Sequence, residues 1–99
     1  MKIAVLGTGM VGRSLAGRFA ELGHEVTMGT RDPEQTRERG DEATAWLADH
    51  DSVALATFAD AAAASDLVVH AGNGHAALDV LAAAGADNLA GKVLIEVSN

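Results

Sequence analysis

Apolar residues fall into two patterns along this chain: short continuous runs with β-branched members, and stretches where they recur every third or fourth position. The runs suit central parallel strands covered on both faces, and the recurrences suit helices with one buried stripe. Lys2 to Leu6 is the first run. Val11, Leu15, Phe19 and Leu22 then recur at helical spacing, with Arg13, Arg18 and Glu21 away from that face. Gly23 is placed to end the helix, so a helix over about Met10 to Leu22 is predicted. His24 to Gly29 reads as a second short strand, Val and Thr suiting a pleated surface. From Asp32 to Ser52 the chain turns polar. Pro33, its one proline, is placed to open a short helix to about Arg37, and Trp46 and Leu47 anchor a better one over Glu42 to Asp49. Val53 to Ala56 is the third strand, and Thr57 to Asp60 has the form of a capping box opening an alanine-rich helix over Phe58 to Ala64. Leu67 to Ala71 is the fourth strand, Gly72 to Gly74 the loop after it, His75 to Ala84 a helix stopped by Gly85, and Lys92 to Val97 the fifth strand.

Strands alternating with helices require parallel pairing through right-handed crossovers. The expected fold is therefore α/β, a doubly wound parallel sheet of five strands in the order 3-2-1-4-5. The 99 residues show no linker, repeat or charge block, so a single domain is expected, with 48% apolar content supplying a modest core. A formal charge of −7 argues against nucleic acid and against anionic membrane surfaces as partners, since either would be repelled over most of the surface. Absence of cysteine excludes disulfides, thiolate metal sites and cysteine nucleophiles. No run approaches membrane-spanning length, and the apolar stretch between Lys2 and the first glycine is too short for a signal segment, so a cytoplasmic protein is expected.

The candidate chemistry gathers around Gly7-Thr8-Gly9-Met10-Val11-Gly12, set between the first strand and the first helix. In that setting Gly7 turns out of the strand, Gly9 lets backbone approach a pyrophosphate, and Gly12 lets the helix pack closely, which is the pattern of a dinucleotide site. Free N–H groups and the dipole at the helix start favour an anion there. In such a sheet the ligand lies beyond the carboxyl ends of the strands where their order reverses, a point that brings together Thr8 to Val11, Thr30 and Arg31, Ala71 to Gly74, and Ser98 and Asn99. The residues ending the second strand choose the dinucleotide: NAD sites place an acid there, roughly 20 residues past the glycines, whereas a 2′-phosphate needs a cation. Here stand Gly29, Thr30 and Arg31, and three of the seven basic residues, Arg31, Arg37 and Arg39, fall in this stretch. A charge-assisted Arg–phosphate contact contributes roughly 1.5–3 kcal/mol, or about ten- to hundredfold in favour of NADP(H). Arg37 and Arg39 read as a solvated face. Asp32 either opposes the phosphate or caps the turn at Pro33. Asn73 either bonds the nicotinamide ribose or supplies turn conformation; His70 lines the crevice or is a bonded strand end, and His75 starts a helix. No metal-ligand pattern, catalytic triad or carboxylate pair stands out, so neither a metal nor a catalytic residue is assigned.

Residues 1–12, Gly23-His24-Glu25-Val26, Gly29-Thr30-Arg31-Asp32-Pro33, Ala64 to Val69 and Gly91 to Asn99 together resemble the N-terminal domain of the deazaflavin-dependent NADP oxidoreductases. The resemblance runs along most of the chain, and Gly-Thr-Arg after the second strand is its most informative part. It implies a Rossmann domain with Thr8, Met10 and Val11 around the pyrophosphate, Thr30 and Arg31 on the 2′-phosphate, and direct hydride transfer between nicotinamide and a deazaflavin, coenzyme F420, without an obligatory acid–base residue. The same glycine turn followed by Gly-His also occurs in hydroxyacid dehydrogenases and pyrroline carboxylate reductases, which leaves the small-molecule substrate open. The family continues past the Ser-Asn of strand five into a smaller C-terminal domain that completes the second substrate's pocket and the dimer, so the 99 residues are expected to form the NADP-binding domain without that part. A non-catalytic NADP-binding module, a redox sensor or a homodimer paired through its fifth strand, is the alternative from a different class.

Overall fold

Alternate residues of the first strand enter two different cores. In the computed structural model, which describes residues 1–72 and 76–97, β1 (Lys2–Leu6) is the middle strand of the sheet. Ile3 and Val5 pack on one side with Val26, Met28, Val53 and Val69; Ala4 and Leu6 pack on the other with Val68, Phe58, Ala61, Ala62 and Val80. A strand buried on both faces must be apolar at successive positions, which is why Ile3 to Leu6 shows no polar alternation. On the first face lies α1 (Met10–Glu21), which contributes Val11, Leu15, Ala16 and Phe19. Next come β2 (Glu25–Thr30), α2 (Pro33–Glu38), α3 (Glu42–Asp49), whose Leu47 and Trp46 join the same core, and β3 (Ala54–Thr57). The second face is covered by α4 (Phe58–Ala63) and, after β4 (Leu67–His70), by α5 (Ala77–Ala84) and α6 (Ala86–Leu89); β5 (Val93–Glu96) is the last strand.

All pairings are parallel and the strand order is 3-2-1-4-5, the expected topology. Two boundaries move for a common reason. β2 runs through Thr30 and β3 through Thr57 because these two residues pair across the strands, while the Thr57 hydroxyl also accepts the Asp60 N–H and opens α4 with no intervening loop. His24 lies outside β2, its N–H bonded to the Phe19 carbonyl in the exit turn of α1. α6 lies in a stretch where the pattern predicts no element, since four residues are too few to show a period. The expected helix start at His75 lies outside the described residues.

The sheet is unevenly clothed at its ends. Lys92 sends its ammonium to the carbonyls of Ala62 and Ala63 at the C-terminus of α4, joining the run into β5 to the α4 layer. β5 leaves Val93, Leu94 and Ile95 between 43% and 62% exposed, and Val97 just after it is 41% exposed, so both faces of this edge strand meet solvent.

Candidate functional site

The glycine turn is built by three close approaches. Gly7 leaves β1 at φ +124°, a region that L side chains rarely adopt, and donates its N–H to the Gly29 carbonyl at 3.0 Å. Gly12 on the first turn of α1 sits so close that a Cβ there would lie 2.3 Å from the Gly7 carbonyl oxygen. At Gly9 a Cβ would meet nothing within 4 Å, so the fold itself does not demand glycine there. What its absent side chain does is leave the approach to the helix start open.

That helix start differs from its neighbours. α2, α3 and α4 are capped by their own residues: Asp32 accepts from the Gln35 N–H at 3.1 Å, Asp41 from Thr44 at 3.1 Å, and Thr57 from Asp60 at 3.1 Å. α1 begins at Gly9 with no side-chain cap and no acid in its first turn. Its first N–H groups are therefore the orphan donors that an anion would satisfy. A crevice of about 370 Å³ opens in front of them, walled by Gly7 to Val11 on one side and by Ala71 and Gly72 on the other. The seam at its base is tight: Ala71 donates to the Leu6 carbonyl at 3.0 Å, and a Cβ on Gly7 would lie 3.1 Å from the Ala71 oxygen. Gly7, Thr8, Gly9, Met10, Val11 and Ala71 thus share one crevice with Gly12 behind it, whereas Asn73 lies outside the described residues.

Thr30 and Arg31 line a separate hollow of about 260 Å³ with Thr57, Phe58, Ala59 and Ala83, at the carboxyl ends of β2 and β3. Thr30 is buried and its hydroxyl is hydrogen-bonded to that of Thr36 at 2.9 Å, while Thr36 in turn donates to the Asp32 carbonyl at 3.0 Å. Arg31 is exposed and has no ion-pair partner among the described residues. Asp32 resolves toward the cap: its carboxylate holds the Gln35 N–H of α2.

The sequence pattern misses two residues. Arg13 and Arg39 line a third hollow, about 410 Å³, together with Thr8, Gly9, Asp41, Glu42 and Ala43. Arg13 pairs with Glu42 at 3.2 Å, joining α1 to the start of α3, and Arg39 pairs with Asp41 at 2.9 Å within the α2–α3 turn. The Thr44 backbone N–H holds the Asp41 carboxyl below its ordinary range, aided by the Thr44 hydroxyl and Arg39 and opposed by partial desolvation. The sequence reads Arg39 as part of a solvated face, whereas the α2–α3 turn brings it beside Thr8 and Gly9. Among the described residues no helix is long and apolar enough to cross a membrane.

Residues 2–99 match the family described as NADP oxidoreductase, coenzyme F420-dependent. The F420-dependent NADP reductase of Methanothermobacter thermautotrophicus is 44% identical over 72 residues, covering 70% of this chain and 31% of that protein. The crystal structure of an Arthrobacter sp. FB24 protein proposed to be an F420-dependent NADP reductase superposes with a TM-score of 0.96 at 56% identity, covering all of this chain and 45% of that one. A reductive aminase from Aspergillus terreus, solved with NADPH and ethyl-5-oxohexanoate, is 28% identical with a TM-score of 0.71 over 99% of this chain and 32% of its own. The chain thus spans less than half the length of these relatives.

Proposed function

This chain belongs to the family of coenzyme F420-dependent NADP oxidoreductases, and from that premise we propose that it is the NADP(H)-binding Rossmann domain of an oxidoreductase transferring hydride between NADP(H) and a deazaflavin, coenzyme F420, or a related small substrate. The observation that carries this reading is the bare N-terminus of α1 facing the crevice between the glycine turn and Ala71. The residues fit a pyrophosphate, because the open approach at Gly9 and the uncapped N–H groups supply room and donors with no acid in the helix's own first turn, and the nearby Asp41 and Glu42 are paired with Arg39 and Arg13. In this reading Thr8, Met10 and Val11 surround the pyrophosphate, Gly7 and Gly12 shape the turn, and Ala71 and Asn73 border the nicotinamide half. Thr30 and Arg31 meet the 2′-phosphate.

When bound, the nicotinamide supplies or accepts the hydride. The chain's own residues bind and orient, and none is assigned to proton transfer. The relatives are more than twice as long, and the pocket for the second substrate is proposed to require polypeptide beyond these 99 residues. A cytoplasmic setting and a partnership with small molecules rather than nucleic acid belong to the same proposal.

Calorimetric titration of the chain with NADPH and NADH in parallel, at low and moderate salt, tests it. Tighter, salt-sensitive binding of NADPH is expected. Binding of neither overturns the reading, and a preference for NADH overturns the choice of cofactor.

The exposed apolar edge of β5 favours a second reading, an NADP(H)-responsive module that pairs with another copy of itself. Sedimentation over a wide concentration range decides this one, and a monomer at the highest concentration rejects it.

A further inference from the structure

His70 ends β4 with its side chain fully buried, and neither ring nitrogen has a hydrogen-bond partner among the described residues. A buried imidazole left in that condition is uncommon and costly, so its position calls for a reason. Its surroundings on two sides supply one. Nδ1 stands 3.8 Å from Oε1 of Glu96, the residue paired with it in β5 and 54% exposed at its side chain, a separation too long for a hydrogen bond. On the opposite side Nε2 lies 3.2 Å from where a Cβ of Gly72 would be, with two ring carbons at 3.8 and 3.9 Å. The ring therefore fills the space directly beneath Gly72, and Gly72 with Ala71 forms the wall of the crevice opposite the glycine turn.

We infer that His70 is a positioning residue: its ring is the floor that sets the height of the Ala71–Gly72 wall, and so the width of the crevice on the nicotinamide side, with Glu96 steadying the ring from β5. This rests on the NADP(H) reading, in which Arg31 takes the 2′-phosphate beyond β2 and the other half of the dinucleotide crosses the switch point toward β4. His70 touches no ligand. It acts through Gly72, where an added Cβ would press on the ring at 3.2 Å, tighter than ordinary van der Waals contact.

The two halves of the cofactor separate this role from plain stability. NADPH and adenosine 2′,5′-bisphosphate, which carries the adenosine half alone, are titrated against the wild-type chain and against His70→Ala, His70→Gln and Gly72→Ala. Removing the floor in His70→Ala is expected to weaken NADPH by roughly tenfold while leaving the bisphosphate as tight as before. His70→Gln, which restores a polar group of similar reach, recovers most of the loss. Gly72→Ala, pressing on the ring from above, reproduces the same split and serves where the cavity in His70→Ala prevents folding. NADPH binding unchanged in Gly72→Ala and in the folded His70 variants overturns the inference, as does a parallel loss of both ligands. Failure of the wild-type chain to bind either ligand instead overturns the NADP(H) reading, and the inference falls with it.

Discussion

Arg31 is exposed, without an ion-pair partner among the described residues, and next to a threonine whose hydroxyl is already bonded to Thr36. A cation so placed is available to a 2′-phosphate, but solvent and salt screen the contact. Arg31→Ala is therefore expected to weaken NADPH by about tenfold, the low end of what a charge-assisted contact supplies, with NADH affinity unaltered in the same titration. Asp41 makes a different statement. Its carboxyl is held below its ordinary range chiefly by the Thr44 N–H, so the folded state favours the charged form. That contribution is present above the unfolded carboxylate's pKa of roughly 4 and disappears as the pH falls through the lower folded value. Melting temperatures of wild type and Asp41→Asn should differ at neutral pH and converge on the acid side. A gap that stays constant with pH would mean that the charge plays no part. Neither Arg39 nor Arg13 is readable from the sequence as lining the hollow beside Thr8 and Gly9, because that hollow is formed by the turn between α2 and α3 lying against α1, where the two arginines pair with Asp41 and Glu42.

At the scale of elements, α1 is set apart by having neither a side-chain cap nor an acid in its first turn; α5 and α6 are uncapped too but carry Asp79 and Asp87 there. α2, α3 and α4 close their first turns internally, whereas α1 leaves its own to whatever lies in the crevice. Thr57 has two duties, pairing with Thr30 in the sheet and capping α4. Thr57→Ala is expected to cost about 1 kcal/mol in denaturant unfolding, the usual loss of a threonine cap, without altering cofactor affinity; a drop in affinity would show that α4 helps to shape the hollow beside Arg31. The capping signal was legible because Thr-x-x-Asp is local chemistry. So were the five strands, each an apolar run; in β1 and β4 the run is imposed by burial on both faces, whereas β5 keeps it at an exposed edge. The ends of β2 and β3 were not, since Thr30 and Thr57 become strand by pairing with each other across 27 positions of sequence.

Over the whole molecule, the strand order and the gathering of the glycine turn with Ala71 followed from the alternation of elements, because handed crossovers leave few alternatives. The division of the crevice region into three hollows did not, as it depends on how α2 and α3 lie against α1. One feature of β1 reaches further. Ile3 and Val5 belong to one core while Ala4 and Leu6 belong to the other, and both sets hang on the same five-residue backbone. Neither layer can melt while its opposite stays intact, for the strand that carries one carries both. Heating should therefore produce a single cooperative transition, with calorimetric and van't Hoff enthalpies in agreement, and a cofactor held at the end of β1 will be released in that same event rather than before it.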